Sequence, residues 1–180
     1  MPIIDTTPAI LLRKIKLTDT SLIVTWFTQA HGKIKTVAKG ARRPKSPFAG
    51  KLDLFFHEEI QFHRSRTSEL HILKEVALRE THEGLRQNYE RMLLASYFVE
   101  LIDLATELEH AAPELYDLLV RAFSYLNTGA ATKRALQHFE AELCRLLGIR
   151  VEKHQSPAMA IGHVAGRLPS ERGELLARLE

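Results

Sequence analysis

The stretch Ser21–Gly40, SLIVTWFTQAHGKIKTVAKG, decides the fold. Its first half, Ser21 to Thr28, is β-branched and aromatic, the composition of a strand. Its second half alternates Lys33 and Lys35 with Ile34 and Thr36, the two-residue period of a strand with one wet face. His31-Gly32 between them supplies the turn of a hairpin. On that period Lys33, Lys35 and Lys39 share one face, and Ile34, Thr36 and Ala38 the other.

Working outward, the same texture continues on both sides. AILLRKIKL (9–17) predicts a strand before the hairpin, with Arg13 on the side of Leu11 and Ile15 and with Lys14 and Lys16 on the other. KLDLFFHEEIQFHR (51–64) and ELHILKEVAL (69–78), joined by the polar SRTS, predict two more. Five short strands in roughly 70 residues point to a small closed or partly closed barrel, the size of an OB-fold.

At Thr81 the period changes. RQNYERMLLASYFVELIDLATELEH (86–110) is apolar nearly all round in its middle, the signature of a central buried helix. Pro113 suits the first turn of a second helix that ends near Asn127-Thr128-Gly129. A third runs from about Ala131 to Leu147, with Leu136, Phe139, Leu143, Leu146 and Leu147 on one face and Gly148 as its stop. From Arg150 the tail reads as polar until LPSERGELLARLE, where Ser170 is expected to cap a short last helix. The expectation is a two-domain α+β chain: an N-terminal five-stranded OB-fold barrel over 1–80 and a C-terminal α-helical bundle over 81–180.

Composition narrows the function. At 180 residues, 45% hydrophobic and 26% charged, the chain can bury a sizeable core. One cysteine, Cys144, allows no internal disulfide and no all-cysteine zinc site, and its place in an apolar stripe reads as packing. MPIIDTTPAILL has no cationic lead and only a short apolar run, so neither a secretory signal nor a membrane span is expected, and the cytoplasm is the expected location. The net charge of +3 is unevenly spread: up to Lys51 there are ten Lys/Arg against two acids, and beyond it fifteen against twenty. A basic end joined to an acidic one suggests that the first meets a polyanion.

The usual catalytic constellations do not assemble. Ala49-Gly50-Lys51 is followed by Leu52 where a phosphate loop needs Ser or Thr, and Lys45 stands where its leading glycine belongs. None of the nine histidines sits in an H-E-x-x-H frame; His57 and His63, six apart in a strand, share a face without further ligands. Glu58 and Glu59 are adjacent in a strand and point to opposite faces, a poor start for paired acid and base work. There is no G-x-S-x-G. A binding protein is expected, without cofactor or metal.

The binding surface is sought in VAKGARRPKSPF (37–48), which sets four cations, two prolines, a glycine and an aromatic ring directly after a lysine-faced strand. Arg13, Lys14, Lys16, Lys33, Lys35 and Lys39 are expected to form a cationic edge that runs on into Arg42, Arg43 and Lys45. Pro44 and Pro47 limit the loop's freedom and so the entropy given up when it grips phosphates. Trp26 and Phe48 are the candidate rings for base stacking, with Phe27 more a core residue.

Residues 21–46 closely resemble the N-terminal region of the bacterial RecO recombination-mediator family: Phe27-Thr28, the turn His31-Gly32, the basic strand Lys33 to Lys35, then Val37-Ala38-Lys39-Gly40-Ala41-Arg42-Arg43. YERMLLASYFVELIDLATE resembles the family's first long helix, and the likeness covers about 150 residues. Between the first two strands the chain has Thr18-Asp19-Thr20-Ser21 where the family often has a Gly-Glu-Ser-Asp-like turn, and with Cys144 alone it lacks the four-cysteine zinc module of some members. The resemblance implies an OB-fold followed by a helical domain, binding of single- and double-stranded DNA, annealing of complementary strands, and help in loading the RecA recombinase on strands coated by single-strand-binding protein. It implies two protein partners, RecR and the acidic C-terminal tail of single-strand-binding protein. It places Lys33, Lys35, Lys39, Arg42 and Arg43 in the family's DNA-facing region. The residues by themselves leave open an adaptor that docks an acidic protein and an RNA-binding OB protein.

Overall fold

A computed structural model describes residues 4–180. The chain divides into two compact units, one of residues up to Thr81 with Thr106–Tyr116, the other of His82–Ala105 with Asp117–Glu180.

The first unit is a closed five-stranded barrel: β1 (Ile4–Lys16), β2 (Leu22–Thr28), β3 (Gly32–Ala38), β4 (His57–His63) and β5 (Leu70–Glu80), in the order β1-β2-β3-β5-β4. The expected OB-fold barrel is therefore present. Closure depends on the length of β1, whose first half pairs with β4 and second half with β2, while β3 and β5 join in parallel. β1 begins at Ile4, ahead of the expected start at Ala9, because Thr6, Pro8 and their neighbours pair with β4. Inside lie Ala9, Leu11, Val24, Trp26, Ile34, Ala38, Ile60, Phe62, Leu73 and Val76. The β2–β3 turn needs Gly32: its φ is +66°, and a Cβ there would lie 1.9 Å from the carbonyl oxygen of His110.

Residues 51–56, expected to begin the fourth strand, are instead part of a run of turns from Lys39 to Phe56. Phe48 and Leu52 from this run join the barrel core. Here burial of two side chains outweighs the period-two pattern, and the run closes one end of the barrel. The segment 106–116 covers another part: Glu109 N–H donates to Lys33 O at 2.7 Å, His71 Nε2 meets Glu109 Oε1 at 2.9 Å, and Tyr116 Oη lies 2.8 Å from His57 Nε2.

The second unit is helical: α1 (Glu83–Arg86), α2 (Tyr89–Ala105), most of α3 (Pro113–Thr128), α4 (Lys133–Leu147), α5 (Pro157–Ala165) and α6 (Arg172–Arg178). Seven residues of α2 from Leu94 to Ile102 are buried on several sides, as expected of a central helix. Thr132 caps α4 by accepting from Ala135 N–H, and Gly148 ends it at φ +66°. α5 lies in the tail read as polar; its cap Ser156, Pro157 at the first turn and Gly166 beyond the end were its signals. Ser170 does not cap α6, whose N-cap is Glu171, which makes no side-chain capping bond.

Three helices of this unit meet at one buried charge. Glu140, 1% exposed, accepts from Arg172 Nε at 2.7 Å, from a second Arg172 nitrogen at 3.1 Å, and from Tyr97 Oη at 2.6 Å. Burial first, and then the Glu140 carboxylate, push the Tyr97 phenol well above its ordinary pKa. Cys144 is buried, as its place in the stripe implied, and burial raises its thiol.

Candidate nucleic-acid interface

A β-bulge at Leu12 sets the basic face. Leu11 stands opposite Trp26 but Arg13 opposite Thr25, so one extra residue in β1 moves Arg13 to the outside while Leu11 points in. From there the outward positions are Arg13 and Ile15 on β1, Ile23, Thr25 and Phe27 on β2, and Lys33, Lys35 and Val37 on β3. Arg13 therefore does not share a face with Leu11. Lys14 and Lys16 fall opposite Val24 and Leu22, on the side that faces the barrel end. Lys14 Nζ there donates to Leu52 O at 2.7 Å and approaches Asp53 Oδ1 at 3.3 Å, while Lys16 pairs with Asp19 at 2.7 Å. The predicted single edge is thus two groups: Arg13, Lys33 and Lys35 on the outer sheet, and Lys14 and Lys16 beside the loop that plugs the barrel.

Lys39, Arg42, Arg43 and Lys45 are exposed beyond the end of β3. The two arginines differ. Arg42 Nη1 donates to Thr18 O and Asp19 O at 3.3 and 3.0 Å, and its backbone N–H to Thr20 O, so it clamps the basic loop to the β1–β2 turn. The loop's own turns, Arg43 N–H to Gly40 O and Ser46 N–H to Arg43 O, hold Arg43 and Lys45 outward.

The stacking expectation is corrected. Trp26 is wholly buried, and its indole N–H donates to Thr36 Oγ1 at 2.9 Å inside the barrel. Phe48, 5% exposed, belongs to the core cluster. Phe27 points outward but is covered: its ring lies 6.2 Å from that of Tyr116. A ring that fills a core cannot also lie against a base.

Inside the barrel, Glu58 is fully buried and neither carboxylate oxygen has a hydrogen-bond partner among the described residues. Burial pushes its pKa up to about 8; Lys51 and Lys14 oppose that rise and Asp53 adds to it. His31 and His71 are depressed, chiefly by burial, and they flank Phe62, whose ring is stacked on His71 at 5.3 Å.

In the helical unit a cleft of about 520 Å³ opens between α3 and α4. Its floor is Phe98, Leu118 and Phe139, and Arg121, Arg134 and His138 stand among its walls. Sequence reading placed Phe139 in an apolar stripe and assigned none of these residues to a site. The available signal was Arg121 with Tyr125 and Arg134 with His138, each four apart on a helix and so on one face.

Two family models together cover most of the chain. The one described as "Recombination protein O N terminal" matches residues 1–82, and "Recombination protein O C terminal" matches residues 86–157. The chain belongs to the RecO family. It is 35% identical over 159 residues to a "DNA repair protein RecO" of Rhodopirellula baltica, covering 88% of this chain and 57% of that one. A protein of the same name from Salinibacter ruber is 35% identical over 144 residues, covering 79% and 55%. Another from Desulfatibacillum aliphaticivorans is 38% identical over 123 residues, covering 68% and 48%. This RecO-family chain spans about half the length of the curated relatives it matches. Among its described residues no helix is long and apolar enough to cross a membrane, and no group of three metal-ligating side chains occurs.

Proposed function

We propose that this RecO-family chain acts in DNA repair as a recombination mediator: its barrel, the DNA-binding domain of residues 1–80, holds DNA by the phosphates, anneals complementary strands and assists recombinase loading on strands coated by single-strand-binding protein. One observation carries the reading. Arg13, Lys33 and Lys35 project from one outer sheet that continues into exposed Lys39, Arg43 and Lys45, while the nearby aromatic rings are withdrawn into the core. Phosphates carry no sequence information, so a row of cations that grips them suits strands of any sequence. Lys14 and Lys16, tied to Asp53 and Asp19, form the separate group beside the loop that plugs the barrel.

The helical domain, residues 81–180, is proposed to meet the protein partners, RecR and the acidic tail of single-strand-binding protein. The cleft between α3 and α4 supports the second: an apolar floor beside Arg121, Arg134 and His138 complements an acidic peptide with apolar side chains.

Annealing of complementary oligonucleotides tests both halves. Lys35→Ala/Arg43→Ala, which spares the Arg42 clamp, is expected to slow annealing about tenfold or more on bare and coated strands alike, because two cations no longer neutralise phosphates. Arg121→Glu is expected to slow it only on coated strands. Unchanged annealing by the first variant would refute the DNA-binding face, and equal slowing on both substrates by the second would refute the cleft as the tail's seat.

A further inference from the structure

The strand register places an aliphatic row between the cations. Ile15 pairs with Ile23, Ile23 with Val37, and Val37 with Ile72, so four β-branched side chains line up across β1, β2, β3 and β5 on the outer face. At the usual strand spacing the row is about 14 Å long. Ile15 is 51% exposed, and the other three are half-buried. One step back along the strands, about 6.6 Å away, runs the row of Arg13, Thr25 and Lys35. One step forward from Val37 stands exposed Lys39. On the described outward positions of β1, β2 and β3 the only aromatic ring is Phe27, which is buried.

We infer that the bases of a single strand rest on the Ile15-Ile23-Val37-Ile72 row while their phosphates lie against the flanking cations. The inference deepens the DNA-binding reading and rests on it. Water-exposed aliphatic groups gain by being covered, and the flat faces of nucleobases are the apolar part of a strand whose anionic part the neighbouring Arg13, Lys35 and Lys39 attract. A duplex keeps its bases stacked inside and offers such a row nothing. The contact is also weaker than aromatic stacking and makes no hydrogen bond to a base edge. Bases so held keep their pairing edges free and are released at low cost to a complementary strand, which is what an annealing surface requires.

The test compares two fluorescent oligomers of equal length and charge, one of thymidines and one of abasic sites, titrated with the full chain at several salt concentrations. The thymidine strand is expected to bind roughly tenfold more tightly than the abasic strand with the same salt slope. Ile15→Thr/Ile23→Thr/Val37→Thr, which keeps β-branching, is expected to abolish that difference and leave abasic binding in place. Equal affinity of the unaltered chain for the two strands would overturn the inference and leave phosphate binding standing. Loss of self-association in the variant, with the base preference kept, would instead give the row to a second copy of the chain. Failure of the unaltered chain to bind either strand would overturn the DNA-binding reading itself. A variant that fails to fold loses the abasic strand as well, and the comparison on the unaltered chain still decides.

Discussion

Arg172→Ala is expected to lower the unfolding free energy of the helical unit by about 3–5 kcal/mol, the usual cost of leaving a buried charge without its partner. Glu140 is 1% exposed and receives two hydrogen bonds from Arg172 and one from Tyr97. Without the guanidinium, its carboxylate keeps a single neutral donor in a site closed to water. The pair also links α4 to α6, and Tyr97 adds α2, so the destabilisation should appear as a lower urea midpoint and looser packing of the C-terminal helix. Arg145→Ala, which removes an exposed pair with Glu142 three residues away, is expected to leave the midpoint in place. An unmoved midpoint for Arg172→Ala would show that the network carries no stability.

Glu58→Gln should act in the opposite direction and only above acid pH. The folded carboxyl titrates at about 8 against an ordinary value of 4.5, because burial penalises its charged form. Between those values the folded state holds a proton that the unfolded state has released. The stabilising contribution is therefore complete below 4.5 and is lost as the pH rises through 8. Within the window each pH unit costs up to about 1.4 kcal/mol, so the total is on the order of a few kcal/mol. Glutamine, neutral throughout, is expected to match the unaltered chain at about pH 4 and to exceed it by a growing margin up to about pH 8. Denaturation curves that stay parallel across that range would show that Glu58 is ionised without penalty.

The barrel was legible because β2 has the composition of a strand and β3 alternates cleanly after a glycine that the close approach of His110 makes necessary. The helical unit was legible through period, Pro113 and Gly148. What escaped notice has local causes. The bulge at Leu12 leaves no mark in an apolar run, yet it moves Arg13 to the face opposite the one its parity with Leu11 implies. Residues 51–56 have the composition of a strand, but Phe48 and Leu52 gain more by filling the end of the barrel. Trp26 and Phe48 looked available for stacking because a sequence shows that a ring exists and not which way it points. The cleft between α3 and α4 draws on residues from two or more helices, a juxtaposition that no single helix's pattern contains. The cationic set was legible as composition; its division between the outer sheet and the barrel end depended on register.

The outer basic face of the barrel is proposed to hold DNA by its phosphates, and the salt dependence of binding measures that directly. With a labelled single strand titrated from low to physiological salt, about six neutralised phosphates give a slope of log affinity against log salt near about −4. Lys35→Ala/Arg43→Ala should reduce the slope by about 1.4, at about 0.7 for each cation removed. A slope near zero, or one that the double substitution leaves unchanged, would contradict the account.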